Sequence, residues 1–172
     1  MTETTANPWA IAFDHHVWAT ARVFEACRAL SPEQLNAPVP GVYGPPMATL
    51  RHLVDADAWY LAAVTEGDFV EHDFTESSLD DLAAEMASHG AVWRDVTARS
   101  GDGSRVISQR SDNGWRTDAP LSLRFAQALL HGADHRSQLC TALTVCGCPV
   151  PDIDVWDYGM AHGLTVDVPP EG

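Results

Sequence analysis

Residues 121–145 read LSLRFAQALLHGADHRSQLCTALTV, an apolar-periodic run that stops at Gly147 and Pro149. Leu123, Phe125, Ala126, Leu129 and Leu130 precede a pair of histidines, His131 and His135, and Leu139, Ala142 and Leu143 follow it. Apolar residues at three- and four-residue spacing predict a helix from Pro120 or Leu121 to about Val145. Side chains at i and i+4 lie on one face of a helix, about 6 Å apart along its axis, so two imidazoles so placed can share one ion. The residues after His131 are Gly132, Ala133 and Asp134, so this is not the zinc-protease pattern in which a glutamate follows the first histidine. A third histidine, His52, opens another apolar-periodic segment. Three neutral nitrogen donors would leave a divalent ion an open position, as in catalytic rather than structural sites. Spacing alone does not show that His52 faces the pair.

Outward from this segment, the chain reads as all-α. A first helix is expected from Pro8 to about Leu30 on Ala10, Phe13, Val17, Ala21, Phe24 and Cys27. Ser31 then caps a short turn with Pro32 at its first position. Four prolines and two glycines make residues 36–46 a loop. The second long helix runs from about Met47 to Thr65, its apolar face carrying Leu50, Val54, Leu61 and Val64. The third begins near Ser77–Leu79, with Asp80 and Asp81 at the positive end of its dipole, and continues to about Ser100. Between Ser104 and Asp118 the pattern changes to a small hairpin with Asn113-Gly114 as its turn signal. A short fifth helix is expected near Ile153–Ala161. Four long amphipathic helices predict a four-helix bundle, a fold that builds metal sites from facing helices. No repeat or linker divides residues 1–172, which read as one domain.

Composition narrows the function. The formal charge is −14, with 24 acidic against 10 basic residues, and all ten cations are arginine. Phosphate-backbone binding needs clustered cations and none cluster here, so nucleic acid is not an expected partner. No apolar run is long enough to span a bilayer and residues 1–10 have no basic, apolar leader pattern, so a soluble, cytoplasmic protein with no membrane partner is expected. Of Cys27, Cys140, Cys146 and Cys148, the closely spaced Cys146 and Cys148 lack a second cysteine pair to complete a soft-metal site. His15, His16, His72, His89 and His162 are read as solvated or hydrogen-bonded structural residues.

Helix phase also nominates neighbours of the candidate ligands. Gln138 should project from the His131/His135 face one turn further on, with Gln127 on the other side of the pair. Asp55 follows His52 at +3 and is placed to orient an imidazole, and Trp59 at +7 to wall a pocket. The plainer roles are a backbone cap for Gln138 and a core position for Trp59. Arg136 suits either an anionic substrate or a surface carboxylate, and the salt bridge is preferred.

Three segments in this order resemble the DinB-like (YfiT-like) superfamily of metalloenzymes: Phe13-Asp14-His15-His16-Val17-Trp18-Ala19-Thr20, Thr49-Leu50-Arg51-His52-Leu53-Val54-Asp55-Ala56, and His131-Gly132-Ala133-Asp134-His135-Arg136-Ser137-Gln138. The turn-like Pro151-Asp152-Ile153-Asp154 extends the resemblance over nearly the whole chain. The resemblance implies a four-helix bundle, often a homodimer, that binds zinc or nickel through His52, His131 and His135. It also implies a small-molecule substrate. The translesion polymerase of similar name is a different protein. Related enzymes handle thiols: mycothiol-dependent maleylpyruvate isomerases, mycothiol or bacillithiol S-transferases, and parts of ergothioneine-forming enzymes. By this resemblance the chain is expected to be a metal-dependent transferase or isomerase acting with a low-molecular-weight thiol such as mycothiol. The alternatives are a non-catalytic metal-binding bundle and a hydrolase. No side chain is singled out as catalytic; the reacting group would be a thiolate or a water held by the ion.

Overall fold

The computed structural model describes residues 7–111, 113–168 and 170. Along them run α1 (Pro8–Cys27), α2 (Pro32–Asn36), α3 (Pro46–Val64), α4 (Leu79–Ala98), β1 (Val106–Arg110), β2 (Arg116–Pro120), α5 (Leu121–Val145) and α6 (Val155–Ala161). The long helices α1, α3, α4 and α5 form the expected bundle. Its principal contacts are α1 with α4 and α5, and α3 with α4 and α5, so α1 and α3 face each other across the interior. No helix among the described residues is long and apolar enough to cross a membrane.

Helix boundaries have local chemical causes. The Asn7 side chain accepts the Trp9 N–H, and Pro8 occupies the first helical position of α1. Ser31 with Gln34, Ser78 with Asp81, and Asp154 with Asp157 form capping boxes at α2, α4 and α6. The Asp154 cap delays α6 to Val155, two residues later than the sequence suggests. The first helix ends at Cys27 rather than Leu30, because Arg28, Ala29 and Leu30 turn back to carbonyls three residues earlier. At the start of α5 no side chain caps the helix. Instead the Leu121 N–H donates to the Arg105 carbonyl (2.8 Å) and the Ser122 N–H to the Gly103 carbonyl (2.9 Å). At its end Gly147 takes φ 71°, and the N–H groups of Cys148 and Gly147 close on Leu143 and Thr144.

The hairpin is antiparallel, Val106 opposite Pro120 and Arg110 opposite Arg116, with Asn113 and Gly114 in its connection. Arg124 of α5 clasps it by donating to the Ile107 and Thr117 carbonyls (both 3.2 Å) and to Gln109 Oε1 (2.7 Å).

The bundle interior has two apolar layers. Val23, Phe24, Leu50, Leu53, Leu82, Met86, Leu139 and Leu143 belong to one. Phe13, Leu61, Val64, Trp93, Leu121 and Phe125 belong to the other, together with Ile107 from the hairpin. Between them lies a buried polar layer of His16, Asp57, His89 and Arg136, one residue from each long helix.

Candidate metal centre

His131 and His135 stand on successive turns of α5, and α3 packs against that face to bring His52 to them. The three rings meet through their Nε2 atoms. His131 Nε2 is 3.1 Å from His52 Nε2 and 3.1 Å from His135 Nε2. All three donor atoms lie within 4.8 Å of one another. A tetrahedral ion about 2.05 Å from each of three nitrogens would hold them roughly 3.3 Å apart, close to what is found. Among the described residues no fourth His, Cys, Asp or Glu joins the group.

Neighbouring side chains set the rings' orientation and protonation. Gln138 Oε1 accepts the Tyr43 backbone N–H (3.1 Å), which identifies that atom as the amide oxygen. The same oxygen is 3.1 Å from His135 Nδ1, so His135 carries its proton there and presents a lone pair at Nε2. The Tyr43 ring stacks on His52 at 4.4 Å, and Tyr60 meets His131 edge-on at 5.7 Å. Burial, helped by the rings of His135 and His52, pushes His131 down to about 4; burial lowers His135 as well. At neutral pH both rings are therefore neutral, as metal ligation requires. Replacing Gln138 by alanine is expected to weaken zinc binding roughly 10–100-fold, read by competition with a chromophoric chelator.

His52 also forms one wall of an open groove of about 350 Å³, shared with Tyr43, Arg51, Asp55, Asp73 and Phe74. A larger groove of about 500 Å³, between the end of α3 and the hairpin, shares no residue with the histidines and carries no comparable donor set. The remaining nominated residues fall as follows. Gln127 donates to the Tyr60 hydroxyl (3.2 Å) and so reaches the histidines only through that ring. Asp55 is exposed on the groove and makes no side-chain hydrogen bond to a ring among the described residues. Trp59 is 45% exposed, in a separate groove with Leu123 and Arg124 beyond Tyr60. The rings against the histidines are those of Tyr43 and Tyr60. Sequence reading missed both, because the first lies in an irregular loop and the second is one residue, or 100°, from Trp59.

The family model of the DinB family matches residues 1–166. The chain belongs to the DinB family. No curated protein matches it.

In this DinB-family chain the largest departure from expectation is Arg136. Among the described residues it makes no surface salt bridge; it is 4% exposed and donates to His16 Nδ1 (2.8 Å) and Thr20 Oγ1 (3.1 Å). One residue past His135 is a 100° turn of α5, which aims Arg136 at α1 instead of the ligand face. Since the guanidinium only donates, His16 Nδ1 accepts, and His16 Nε2–H then donates to Asp57 Oδ1 (3.0 Å). Asp57 also accepts from His89 Nδ1 (2.8 Å) and Trp93 Nε1 (3.0 Å). Burial opposes ionisation of Asp57, but the hydrogen bonds it accepts from His16 and His89 outweigh this and hold the carboxyl well below the usual range. Burial in turn pushes Arg136 down to about 10, still charged at neutral pH. A signal was present in the sequence: Asp57 sits at a core register of α3, among Leu50, Leu53, Val54 and Leu61.

Gly132 makes room for this network. A Cβ there would lie 2.4 Å from His16 Cε1 and 2.7 Å from His16 Nδ1. Alanine would gain about 1 kcal/mol of helix propensity, yet overpacking a filled interior costs typically 1–3 kcal/mol and here pulls His16 off Asp57. Gly132→Ala is expected to lower stability by about 1–2 kcal/mol in urea denaturation. A variant as stable as the wild type would show that His16 has freedom to move.

The four cysteines are free and stand outside the histidine group. Burial pushes the Cys27 thiol up to about 12, which leaves it inert at neutral pH.

Proposed function

We propose that this DinB-family protein holds a divalent ion, zinc or nickel, on His52, His131 and His135 and acts as a transferase or isomerase with a low-molecular-weight thiol of the mycothiol type. The observation that carries the metal site is the convergence of three Nε2 atoms, two of the separations being 3.1 Å. Family membership and the thiol chemistry of the enzymes the chain resembles support the thiol reading. When bound, an ion on three neutral donors keeps its positive charge, favours an anionic ligand in the position left open, and lowers the pKa of a thiol or water placed there.

The chain's own residues prepare that position. Gln138 holds His135 in the tautomer that leaves Nε2 free. Tyr43 and Tyr60 lie against the flanks of His52 and His131. The groove along α3 gives a substrate access from the His52 side, where Arg51, Asp55 and Asp73 offer polar anchors. A thiol and an electrophile held together in it would react with reduced orientational entropy loss. The absence of a fourth protein ligand among the described residues favours this reading over a closed, purely structural centre.

Elemental analysis of the purified, untagged protein and of its His52→Ala and His131→Ala variants tests the site. About one ion per chain, lost in both variants, is expected. The metal-loaded protein is then assayed for thiol consumption with mycothiol and a panel of electrophiles. No bound metal, and none taken up on titration, would overturn the proposal; metal without thiol turnover would leave the non-catalytic bundle.

A further inference from the structure

The buried polar layer touches neither the groove nor the histidine Nε2 atoms, yet it is anchored beside the ligands on both ligand-bearing helices. On α3, Asp57 lies five residues after His52. On α5, Arg136 follows His135 directly. Arg136, His16 and Asp57 form a continuous hydrogen-bonded chain, with links of 2.8 and 3.0 Å, across the bundle from α5 through α1 to α3. His89 and Trp93 fasten the same carboxylate to α4 (2.8 and 3.0 Å). His16, Asp57, His89 and Arg136 are all less than 9% exposed. The apolar layers on either side are held by dispersion contacts, which are individually small and set no donor–acceptor direction. Hydrogen bonds set one. Turning α3 or α5 far enough to separate His52 from His131 would stretch this chain.

We propose that the Asp57–His16–Arg136 chain is a positioning device, which sets the rotation of α3 against α5 that closes the three-histidine site. This rests on the metal-site reading above. The tautomers make the coupling specific. An asparagine at position 57 offers one acceptor and one donor where the carboxylate offers two acceptors, so it opposes an N–H with an N–H at His16 or His89. If His16 answers by moving its proton to Nδ1, that proton faces Arg136 Nη1, and the conflict passes to the residue adjoining His135.

The test measures zinc affinity and the visible ligand-field absorption of the cobalt(II)-loaded full chain for wild type, Asp57→Asn, Arg136→Met, Arg136→Lys and Thr20→Val. Leu82→Ala is the control. It opens a cavity in the apolar layer on α4, which carries no candidate ligand, and lowers the melting temperature without touching the chain. Expected are a roughly 10–100-fold weaker zinc Kd and an altered cobalt band in Asp57→Asn and Arg136→Met. Arg136→Lys, which can still donate to His16 Nδ1, should recover part of the affinity. Leu82→Ala should keep wild-type affinity and band despite its lower melting temperature. Thr20→Val removes one acceptor of Arg136 at nearly constant volume, and a smaller weakening is expected; it carries the test should the buried-charge variants not fold. Network variants with the affinity and band of Leu82→Ala would overturn the positioning role and leave the metal site standing. A wild-type protein that binds neither zinc nor cobalt would overturn the metal site itself, and this role with it.

Discussion

Replacing His135 by alanine is expected to abolish stoichiometric metal binding while leaving a folded helical bundle. His135 is the most enclosed of the three candidate ligands, at 7% exposure, and the one whose tautomer is fixed by Gln138. Its Nε2 and that of His52 both bear on His131 at 3.1 Å, so its removal leaves two imidazoles with no completed tripod. Folding should tolerate the loss. The apolar layers that hold the bundle together do not include this ring. Elemental analysis should fall from about one ion per chain to none, with an unchanged helical circular dichroism spectrum. Thermal melting gives a second reading. Zinc at about a thousand times its Kd stabilises a folded protein by about 4 kcal/mol. At roughly 2–4 °C per kcal/mol for a chain of this size, wild type should melt some 10 °C higher with excess zinc and the variant should not respond. Undiminished metal content in His135→Ala would sink the assignment.

Asp57→Ala is expected to produce the largest stability loss of any single substitution considered. It strands the N–H groups of His16, His89 and Trp93 and leaves the buried Arg136 charge without its countercharge. Leaving a buried charge uncompensated costs about 3–5 kcal/mol, a large part of the roughly 5–15 kcal/mol that holds a domain folded. A fall in melting temperature of roughly 10 °C follows. The effect depends on pH with a definite sign. The folded-state pKa of Asp57 is depressed, so its stabilising contribution is complete above the unfolded value of about 3.9 and is lost as pH falls from there toward the folded value. Denaturant titrations at pH 7 and near pH 3 should therefore show the gap between wild type and variant narrowing in acid. A gap independent of pH would mean that the Asp57 carboxyl has the same pKa folded and unfolded, and a gap that widens in acid that it is protonated in the folded protein.

The helices and their ends were legible in the sequence because their causes are local. Apolar spacing along Leu121–Val145 marks a helix wherever the chain is placed, Gly147 ends it through its own left-handed φ, and Ser31 and Ser78 cap helices with their own hydroxyls. The i,i+4 spacing likewise put His131 and His135 on one face before any partner was known. His52 was joined to them by family resemblance, since its approach depends on how two helices distant in sequence pack.

The polar layer was not legible for the same reason. His16, Asp57, His89 and Arg136 come from four helices, and Arg136 meets His16 across 120 residues. Read singly, an arginine in so acidic a chain is assigned to a surface carboxylate. Only packing reveals that Arg136 points into the bundle and that Gly132 leaves space for the ring it holds. Periodicity and capping chemistry, acting over a few residues, thus determined which segments are helices and which faces carry the histidines. Tertiary structure alone decided which ring meets which, because a rotation of one residue about a helix axis separates Tyr60 from Trp59 and Arg136 from His135.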